Sequence, residues 1–435
     1  MITGDNINTA ISVSKSCGLV DITQEDIAIC TYTERSGKLN YTLINAHGDP
    51  VGQIDPKSRA HSDKAIIGAM DNINFEKISK ELGLELNKPI DLEKDKILIE
   101  ISENVRVFAR MNPQQKALIV KIFKEYYKSK NYTVGFCGDG ANDCIALKHA
   151  DIGVSLSKNE ASLSAPFVSA IEDISCIEHV SIQGKCALTS NFDIFRYFCL
   201  YSVIQTIGLI FLFANKTEYS VPMYLTMDIP IALNLANAMG LLSAAKTLTK
   251  KLPKHTLFYL KFMTSLLWNI LLTFAVIIFG LWMIKGDEGF YAASDAPEPS
   301  DEAIDDSIPT YESTLISLVA IQGTFHVAMS FSLQGMWKDR FFVQVYFMIS
   351  LLLYMLYMIY LIFNARNFWP AVDNFLMDQY NFVIFDKSMR WYVFILCNIY
   401  SLLSILYEVL MIWVFVDRKK KDKDKVSTRK IEIAN

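Results

Sequence analysis

The sequence has no Cys-x-x-Cys pair and only six histidines among its 435 residues. Its eight cysteines (Cys17, Cys30, Cys137, Cys144, Cys176, Cys186, Cys199 and Cys397) are scattered. That pattern argues against a zinc site or a disulfide framework, and a reducing cytosol suits the soluble part. Net charge is also scarce. Lys and Arg number 42 against 46 Asp and Glu, for a formal charge of −4. No excess of one sign calls for nucleic acid as a partner.

Apolar residues are not scarce. They make up 51% of the chain, with 12% aromatics, which is richer than an average soluble domain and fits a part-membrane protein. From about residue 192 onward there are six apolar stretches, at roughly 192–214, 221–243, 257–284, 313–336, 341–363 and 391–416. Each reaches the ~20 residues needed to cross a bilayer. Six such runs in half a chain predict an all-α membrane domain of six helices over 191–416, with a basic tail at 417–435. Membrane lipids are its first partners.

The connections set the expected orientation. Lys246, Lys250, Lys251 and Lys254 follow the second stretch, Lys338 and Arg340 follow the fourth, and Arg418–Lys421 follow the sixth. The positive-inside rule puts these loops in the cytosol. The acidic segment over 286–312 (Asp287, Glu288, Asp295, Glu298, Asp301, Glu302, Asp305, Asp306) then lies on the far side, solvated. Asn215-Lys216-Thr217 is a weak glycosylation sequon in a tight hairpin on that same side.

The first 190 residues alternate differently. Met1–Asp5 reads as a strand end entering a turn, followed by a helix through Ala10, Ile11, Val13 and Cys17. Val105–Ala109 and Thr133–Cys137 read as buried strands, Pro113 starts a helix, and Ile152–Leu156 is a further strand. Strands alternating with helices predict a parallel α/β sheet whose ligand sits over the strand C-termini. Residues 21–104 contain Asp55-Pro56 and a charged run, Asp91–Lys96. They read as a variable insertion with little core of its own.

Three separated pieces suit phosphate chemistry. Thr3-Gly4-Asp5-Asn6 offers a hydroxyl and backbone N–H groups at a turn. Lys116, in Met111-Asn112-Pro113-Gln114-Gln115-Lys116, brings a positive charge from a helix. Gly138-Asp139-Gly140-Ala141-Asn142-Asp143-Cys144 places carboxylates at a glycine turn, where Asp139 and Asp143 suit Mg²⁺ beside a phosphate. Metal and lysine together would neutralise the phosphoryl oxygens. Each piece alone is a common turn or a surface lysine; the combination, in order and in an α/β frame, carries the reading.

In the spans, Asp228 stands with Tyr224 one turn before it, Pro230 just after it, and Asn234 and Asn237 beyond. Tyr201 and Gln205 share a face of the first span. A carboxylate in a bilayer costs about 2.5–3.5 kcal/mol on insertion scales, so it marks a functional candidate. Asp228 could pair with an ammonium while Tyr201 and Tyr224 offer ring faces, or it could cap a broken helix or pair across the bundle. Only one acidic residue is expected deep in these spans. Calcium, which wants several oxygens, fits poorly.

The strings Met1–Asn6, Val107–Lys116 and Gly138–Lys148 resemble the phosphorylation domain of P-type ATPases. Cys144, Ser155-Leu156-Ser157, Glu160-Ala161-Ser162, Ala165-Pro166-Phe167, Tyr201–Gln205 and the Tyr224-x-x-x-Asp228 pattern are most similar to the fifth type, B branch. The resemblance runs over nearly the whole chain. It implies a haloacid-dehalogenase-like (Rossmann-like) α/β domain, partial here, over 1–190. It also implies ATP as phosphate donor and export of a cationic small molecule, a polyamine, from an endosomal, lysosomal or vacuolar compartment. It assigns Thr3, Gly4, Asp5 and Lys116 to the phosphoryl group, Asp139 with Asp143 to Mg²⁺, Asn142 and Asp143 to ordering the site, and Tyr201, Gln205, Tyr224 and Asp228 to substrate.

Ile145 departs from the branch, which usually carries glycine there. The family's nucleophile string, Asp-Lys-Thr-Gly-Thr, does not occur in the sequence. The expectation is therefore the C-terminal part of a pump, inactive alone, with Met1 an internal residue and the missing N-terminal part as partner. The alternatives are a pump for another cation, a non-catalytic membrane protein using the α/β part as a binding module, and a tethered phosphatase. The lack of the nucleophile string argues against the phosphatase.

Overall fold

The computed structural model describes all residues except 22–24, 35–36, 46–48, 55–64, 93–94, 157–159, 172, 250, 254–255, 257–258, 287–309, 334–335, 364–381, 384 and 413–435. Asp55-Pro56, Ser157, Lys250, Lys254, the acidic residues from Asp287 to Asp306 and the tail lysines lie outside the described residues. The chain divides into two units, Met1–Glu178 and His179–Asn435.

In the first unit the elements run α1 (Ile7–Ser16), β1 (Glu25–Thr33), β2 (Lys38–Ile44), β3 (Pro50–Ile54), β4 (Ala65–Asp71), α2 (Asn72–Glu81), α3 (Lys96–Asn104) and β5 (Val105–Ala109). There follow α4 (Pro113–Lys128), β6 (Gly135–Gly138), α5 (Cys144–His149), β7 (Ile152–Ser155) and β8 (Phe167–Val168). One sheet has the order β3-β2-β1-β4-β5 and another β6-β7-β8. Pairings β1/β4 and β4/β5 are parallel, as are both in the smaller sheet, while β1/β2 and β2/β3 are antiparallel. The expected parallel sheet therefore carries an antiparallel hairpin on one side.

The reading of 21–104 as a stretch with little core does not hold. Strands β2 and β4 and helices α2 and α3 bury Tyr41, Met70, Phe75, Ile78, Leu98 and Ile101 against Phe108 and Ile119. Its polar composition is deceptive because β2 buries alternate residues, Leu39 and Tyr41, while β4 is apolar on both faces, Ile67 and Ala69 packing on one side and Met70 on the other. Burying several such side chains at about 1.5–3 kcal/mol each gives the segment its own drive to fold.

Two local devices place the chemistry. Asn112 caps α4 in a reciprocal capping box with Gln115, and Pro113 opens the helix. Asn6 caps α1 by accepting from the Thr9 N–H at 2.9 Å. The segment before α1 runs beside β5: the Thr3 N–H donates to the Phe108 carbonyl and the Phe108 N–H to the Met1 carbonyl, each at 2.9 Å.

In the second unit, five helices are long and apolar enough to cross a membrane. They lie in α6 (Cys176–Ala214), α9 (Leu260–Ile284), α10 (Tyr311–Ser332), α11 (Val345–Phe363) and α12 (Lys387–Ile412). The sixth expected span, 221–243, is helical but broken. It comprises α7 (Val221–Thr226), a π-helical segment (Met227–Leu233) and α8 (Asn234–Gly240). Pro230 lies inside the π segment, where its missing N–H and its ring forbid the regular i→i−4 bond. Helix α10 is buried along almost its whole length. Gly208 and Gly323 give close packing: a Cβ on Gly323 would lie 3.0 Å from the Tyr400 hydroxyl, and one on Gly208 would collide with the Tyr219 hydroxyl.

Candidate functional site

The first candidate site is built on turns. The Thr3 hydroxyl donates to Asp5 Oδ2 at 2.8 Å and accepts from the Asp5 N–H at 3.2 Å. The turn is fastened by the Met111 N–H to the Thr3 carbonyl (3.0 Å) and the Arg110 N–H to the Asp5 carbonyl (2.8 Å). Arg110 holds φ of 56°, a conformation unusual for a side-chain-bearing residue. Gly4 and Asp5 are exposed, with the Asp5 N–H taken by the Thr3 hydroxyl.

Lys116 and Asp143 meet as an ion pair, Nζ to Oδ1 at 2.8 Å, with side chains 11% and 10% exposed. Asp143 ends a 3-10 turn over Ala141–Asp143, its N–H donating to the Gly140 carbonyl at 3.0 Å. Gly138 is needed there: a Cβ would stand 2.7 Å from both Cβ and Oδ2 of Asp143. Asp139 and Asn142 are exposed on the same turn. Ile145, the departure from glycine, is 37% exposed. Among the described residues, no hydrogen bond or ion pair joins the Thr3 turn to Lys116 or to the Gly138–Asp143 turn.

The donor set bears on magnesium. No group of three or more His, Cys, Asp or Glu is gathered as a metal site among the described residues. Mg²⁺ needs only one or two carboxylates with phosphate and water, and Asp139 meets that minimum. Asp143, the other expected ligand, gives Oδ1 to Lys116.

One thiol lies beside this turn. Burial is the main cause that pushes Cys137 up to about 11, followed by Cys176 and then the charges of Asp139 and Asp143. Near the base of the smaller sheet, burial raises the Asp151 carboxyl, but the Lys124 ammonium at 2.8 Å and the Val134 N–H at 2.9 Å outweigh it and hold the group below its usual range.

The second candidate site lies in the helical unit. The Tyr201 hydroxyl donates to Asp228 Oδ1, and Gln205 Nε2 reaches both the Tyr201 hydroxyl (2.5 Å) and Asp228 Oδ1 (3.4 Å). The structure thus brings three of the four expected substrate residues together, from α6 and the first turn of the π segment. Tyr224 is not among them; its ring packs edge-on against Tyr219, centroids 5.2 Å apart. Tyr201 acts through its hydroxyl rather than a free ring face, since Tyr197 stacks on it at 6.4 Å. Asp228 itself is exposed, and its pairing across the bundle leaves Oδ2 open. Asn234 accepts from the Tyr346 hydroxyl at 2.7 Å. The Asn215 amide donates to the Phe211 carbonyl at 2.8 Å, closing the hairpin that carries the sequon.

The expectation of a single deep acidic residue is wrong. Asp193 (3% exposed) and Glu408 (1%) are buried in α6 and α12. Asp193 takes Lys338 Nζ at 2.6 Å and Arg196 Nη1 at 3.2 Å, and Arg196 also bonds the Tyr259 hydroxyl. Glu408 was legible as a charge in the last apolar stretch, and Asp193/Arg196 as an i,i+3 pair.

No protein-family model matches the chain. It is 35% identical over 297 residues to Probable cation-transporting ATPase 13A4 of Homo sapiens, covering 66% of this chain and 23% of that protein. It is 30% identical over 361 residues to Polyamine-transporting ATPase 13A2 of Homo sapiens, covering 81% of this chain and 29% of that protein. Vacuolar cation-transporting ATPase YPK9 of Saccharomyces cerevisiae is 31% identical over 342 residues, covering 74% and 22%. The chain therefore spans less than a third of the length of these relatives. An α/β unit followed by a polytopic helical unit with this likeness belongs to the P-type ATPases. Within them the chain belongs to the fifth type, B branch, as a polyamine-transporting-ATPase-like protein.

Proposed function

We propose that this chain is the C-terminal part of an ATP-driven transporter that exports polyamines through an aspartyl-phosphate cycle. The observation that carries the reading is the convergence of Tyr201, Gln205 and Asp228 on a proline-broken helix, in a relative of proteins named as polyamine transporters. A carboxylate with an open oxygen and two neutral polar neighbours suits one ammonium of an elongated polycation. Tyr224 lies one helical turn before Asp228 and would meet the next segment of the substrate.

In this reading the first unit is a haloacid-dehalogenase-like phosphorylation domain and the second has six spans, counting the broken one. Thr3, Gly4 and Asp5 would hold the phosphoryl oxygens with Lys116, and Asp139 would hold Mg²⁺, with Asn142 and Asp143 ordering the turn. The metal supplies neutralisation of phosphoryl charge when bound. Lys116 must turn from Asp143 toward the phosphoryl group, and the Thr3 hydroxyl must give up Asp5. The phosphate site is thus held in a self-paired form that a phosphoryl group would reorganise. The phosphorylated aspartate, the nucleotide-binding domain and the actuator domain belong, in this reading, to sequence outside the chain, which alone forms no phosphoenzyme. The first unit and the tail face the cytosol, and the membrane is endosomal, lysosomal or vacuolar.

The test is spermine-stimulated ATP hydrolysis by the complete polypeptide that includes this chain. Asp139→Asn should abolish hydrolysis. Asp228→Asn should leave basal hydrolysis and remove the spermine stimulation. Stimulation that survives Asp228→Asn would refute the pocket.

A further inference from the structure

Where α6 ends and α10 begins, the helical unit buries a carboxylate that the proposed transport site does not use. Glu312, in the first turn of α10, is 1% exposed. Its Oε2 is sealed from water without a hydrogen-bond partner, and no ion pair reaches it among the described residues. Asp193 is held differently, by Lys338 and Arg196, and Asp228 by Tyr201 and Gln205. A carboxylate left unpaired in an apolar bundle is costly and marks a functional candidate. The positive end of the α10 dipole eases that cost but supplies no partner.

A second unpartnered group lies close by in register. The Tyr219 hydroxyl is buried and has no hydrogen-bond partner among the described residues. It lies against Gly208 of α6, where a Cβ would collide with it and would also stand 3.1 Å from Ile316 Cγ2 of α10. Ile316 follows Glu312 by one helical turn on the same face. Helices α6 and α10 run antiparallel: Gly323 packs on Ile204, Ile316 on Gly208, and Thr310 Oγ1 stands 3.3 Å from Thr217 Oγ1. Along α6 from Gln205, which bonds Asp228, the order is therefore Gly208 with Tyr219, then the level of Glu312. Three residues of α6 and four of α10 make up that path, roughly 10 Å at the helical rise. Tyr219 is also within electrostatic reach of Tyr201 and packs edge-on against Tyr224, so it stands beside the first site.

We propose that Glu312, with the Tyr219 hydroxyl, is a second cation subsite that takes the distal ammonium of a linear polyamine whose first ammonium sits on Asp228. The subsite rests on the reading of Asp228 as the substrate carboxylate and adds selection by length. A short diamine engages Asp228 alone; a longer one, with its charges roughly 10 Å apart, engages both. The ammonium donates to the carboxylate and to the tyrosine hydroxyl, which can accept. Gly208 and Tyr224, on the way, carry no charge and suit the methylene segment. Glu312 is sealed in this structure, so a ligand reaches it when the α6–α7 hairpin parts from α10, where Thr217 and Thr310 join the two through their hydroxyls.

The test uses the complete polypeptide that includes this chain, with ATP hydrolysis stimulated by α,ω-diaminoalkanes of increasing length. In the unmodified protein the half-stimulating concentration should fall about tenfold or more once the diamine spans both carboxylates, the effect of one charge-assisted contact. Glu312→Gln should erase that fall and leave the response to the short diamines as it was, and Tyr219→Phe should reduce the fall in part. No fall with length in the unmodified protein overturns the subsite. So does a fall that survives in Glu312→Gln, or an equal weakening of short and long diamines, which a merely structural role would give. Where Glu312→Gln does not fold, Tyr219→Phe decides by the same criteria. Asp228→Asn keeps the two readings apart. Diamines that still stimulate Asp228→Asn refute the Asp228 pocket. Stimulation lost in Asp228→Asn, with the length dependence unaltered in Glu312→Gln, refutes the second subsite alone.

Discussion

The two candidate sites hold their carboxylates in opposite ways. Asp143 is closed: it is buried against a lysine of comparable burial, behind a glycine that leaves no room for a Cβ. Asp228 is open: it is exposed on a helix interrupted by proline, and its partners are a hydroxyl and an amide, both neutral. A closed pair stabilises its fold and must be broken before it can act on a ligand. An open carboxylate stabilises little and is ready for a cation. The difference traces to backbone. A glycine turn lets two segments approach closely, while a π segment widens the helix and turns a side chain outward.

The largest expected effect tests the closed half of that contrast. Lys116→Ala leaves Asp143 buried and unpaired and should destabilise the first unit by about 3–5 kcal/mol, since breaking one side of a buried pair strands the other charge. Asp228→Asn should change stability by less than about 1 kcal/mol, as for an exposed pair. Denaturant unfolding of the two variants, followed by signals from each unit, compares them directly. Equal losses would show that Asp143 and Asp228 are held alike. Next in size is Gly138→Ala, where the added Cβ meets Asp143 and should cost about 1–3 kcal/mol by forcing the carboxylate aside. If the variant unfolds at the same denaturant concentration as the parent, the turn has more room than the 2.7 Å separation implies.

These contrasts were only partly legible in the sequence. Strands at Val105–Ala109 and Ile152–Ser155 and the helix from Pro113 lie where pattern and capping put them, because apolar runs and an Asn-Pro cap are local signals. The broken span was foreshadowed by Pro230, but not its π geometry, which depends on how the freed carbonyls find partners. The core of 21–104 is not legible in the sequence because β-strand pairing is non-local: β4 lies between β1 and β5, and nothing in the charged run near Asp91 discloses that. At the sites, Lys116 and Asp143 were both named from sequence, yet their pairing with each other was not, since 27 residues separate them. Single polar residues in apolar helices, such as His326 and Glu408, are buried only once the helices pack, which no local sequence signal shows.

A smaller effect probes the electrostatics of the closed site. Cys137 is pushed up to about 11, first by burial, then by Cys176, then by Asp139 and Asp143. At pH 8 its alkylation by iodoacetamide should be slow compared with exposed Cys17. Asp139→Asn removes one contributor and should speed the reaction at pH 9–10 without matching Cys17, because burial remains. No change on Asp139→Asn would mean that the Asp139 charge is screened by water at the turn, and the site would then be more open than its neighbour Asp143.

The smallest effect concerns an ion pair between the two extremes. Asp151 and Lys124 have side chains 27% and 38% exposed, so their pairing is neither sealed like that of Asp143 nor free like the face of Asp228. Burial would raise the carboxyl, but Lys124 and the Val134 N–H hold it below its ordinary 3.8. A carboxyl whose folded value is depressed binds fewer protons folded than unfolded, so stability rises with pH through that window. The contribution is fully present above the unfolded value of 3.8 and is lost as pH falls through the folded value. The parent chain should therefore be slightly more stable than Asp151→Asn at pH 6, with the difference shrinking as acid protonates the carboxylate. Unfolding midpoints measured from pH 6 downward for both proteins would follow this convergence. A gap that stays constant into strong acid would mean that Asp151 acts through shape and its backbone hydrogen bond, and that charge matters in this unit only where water is excluded.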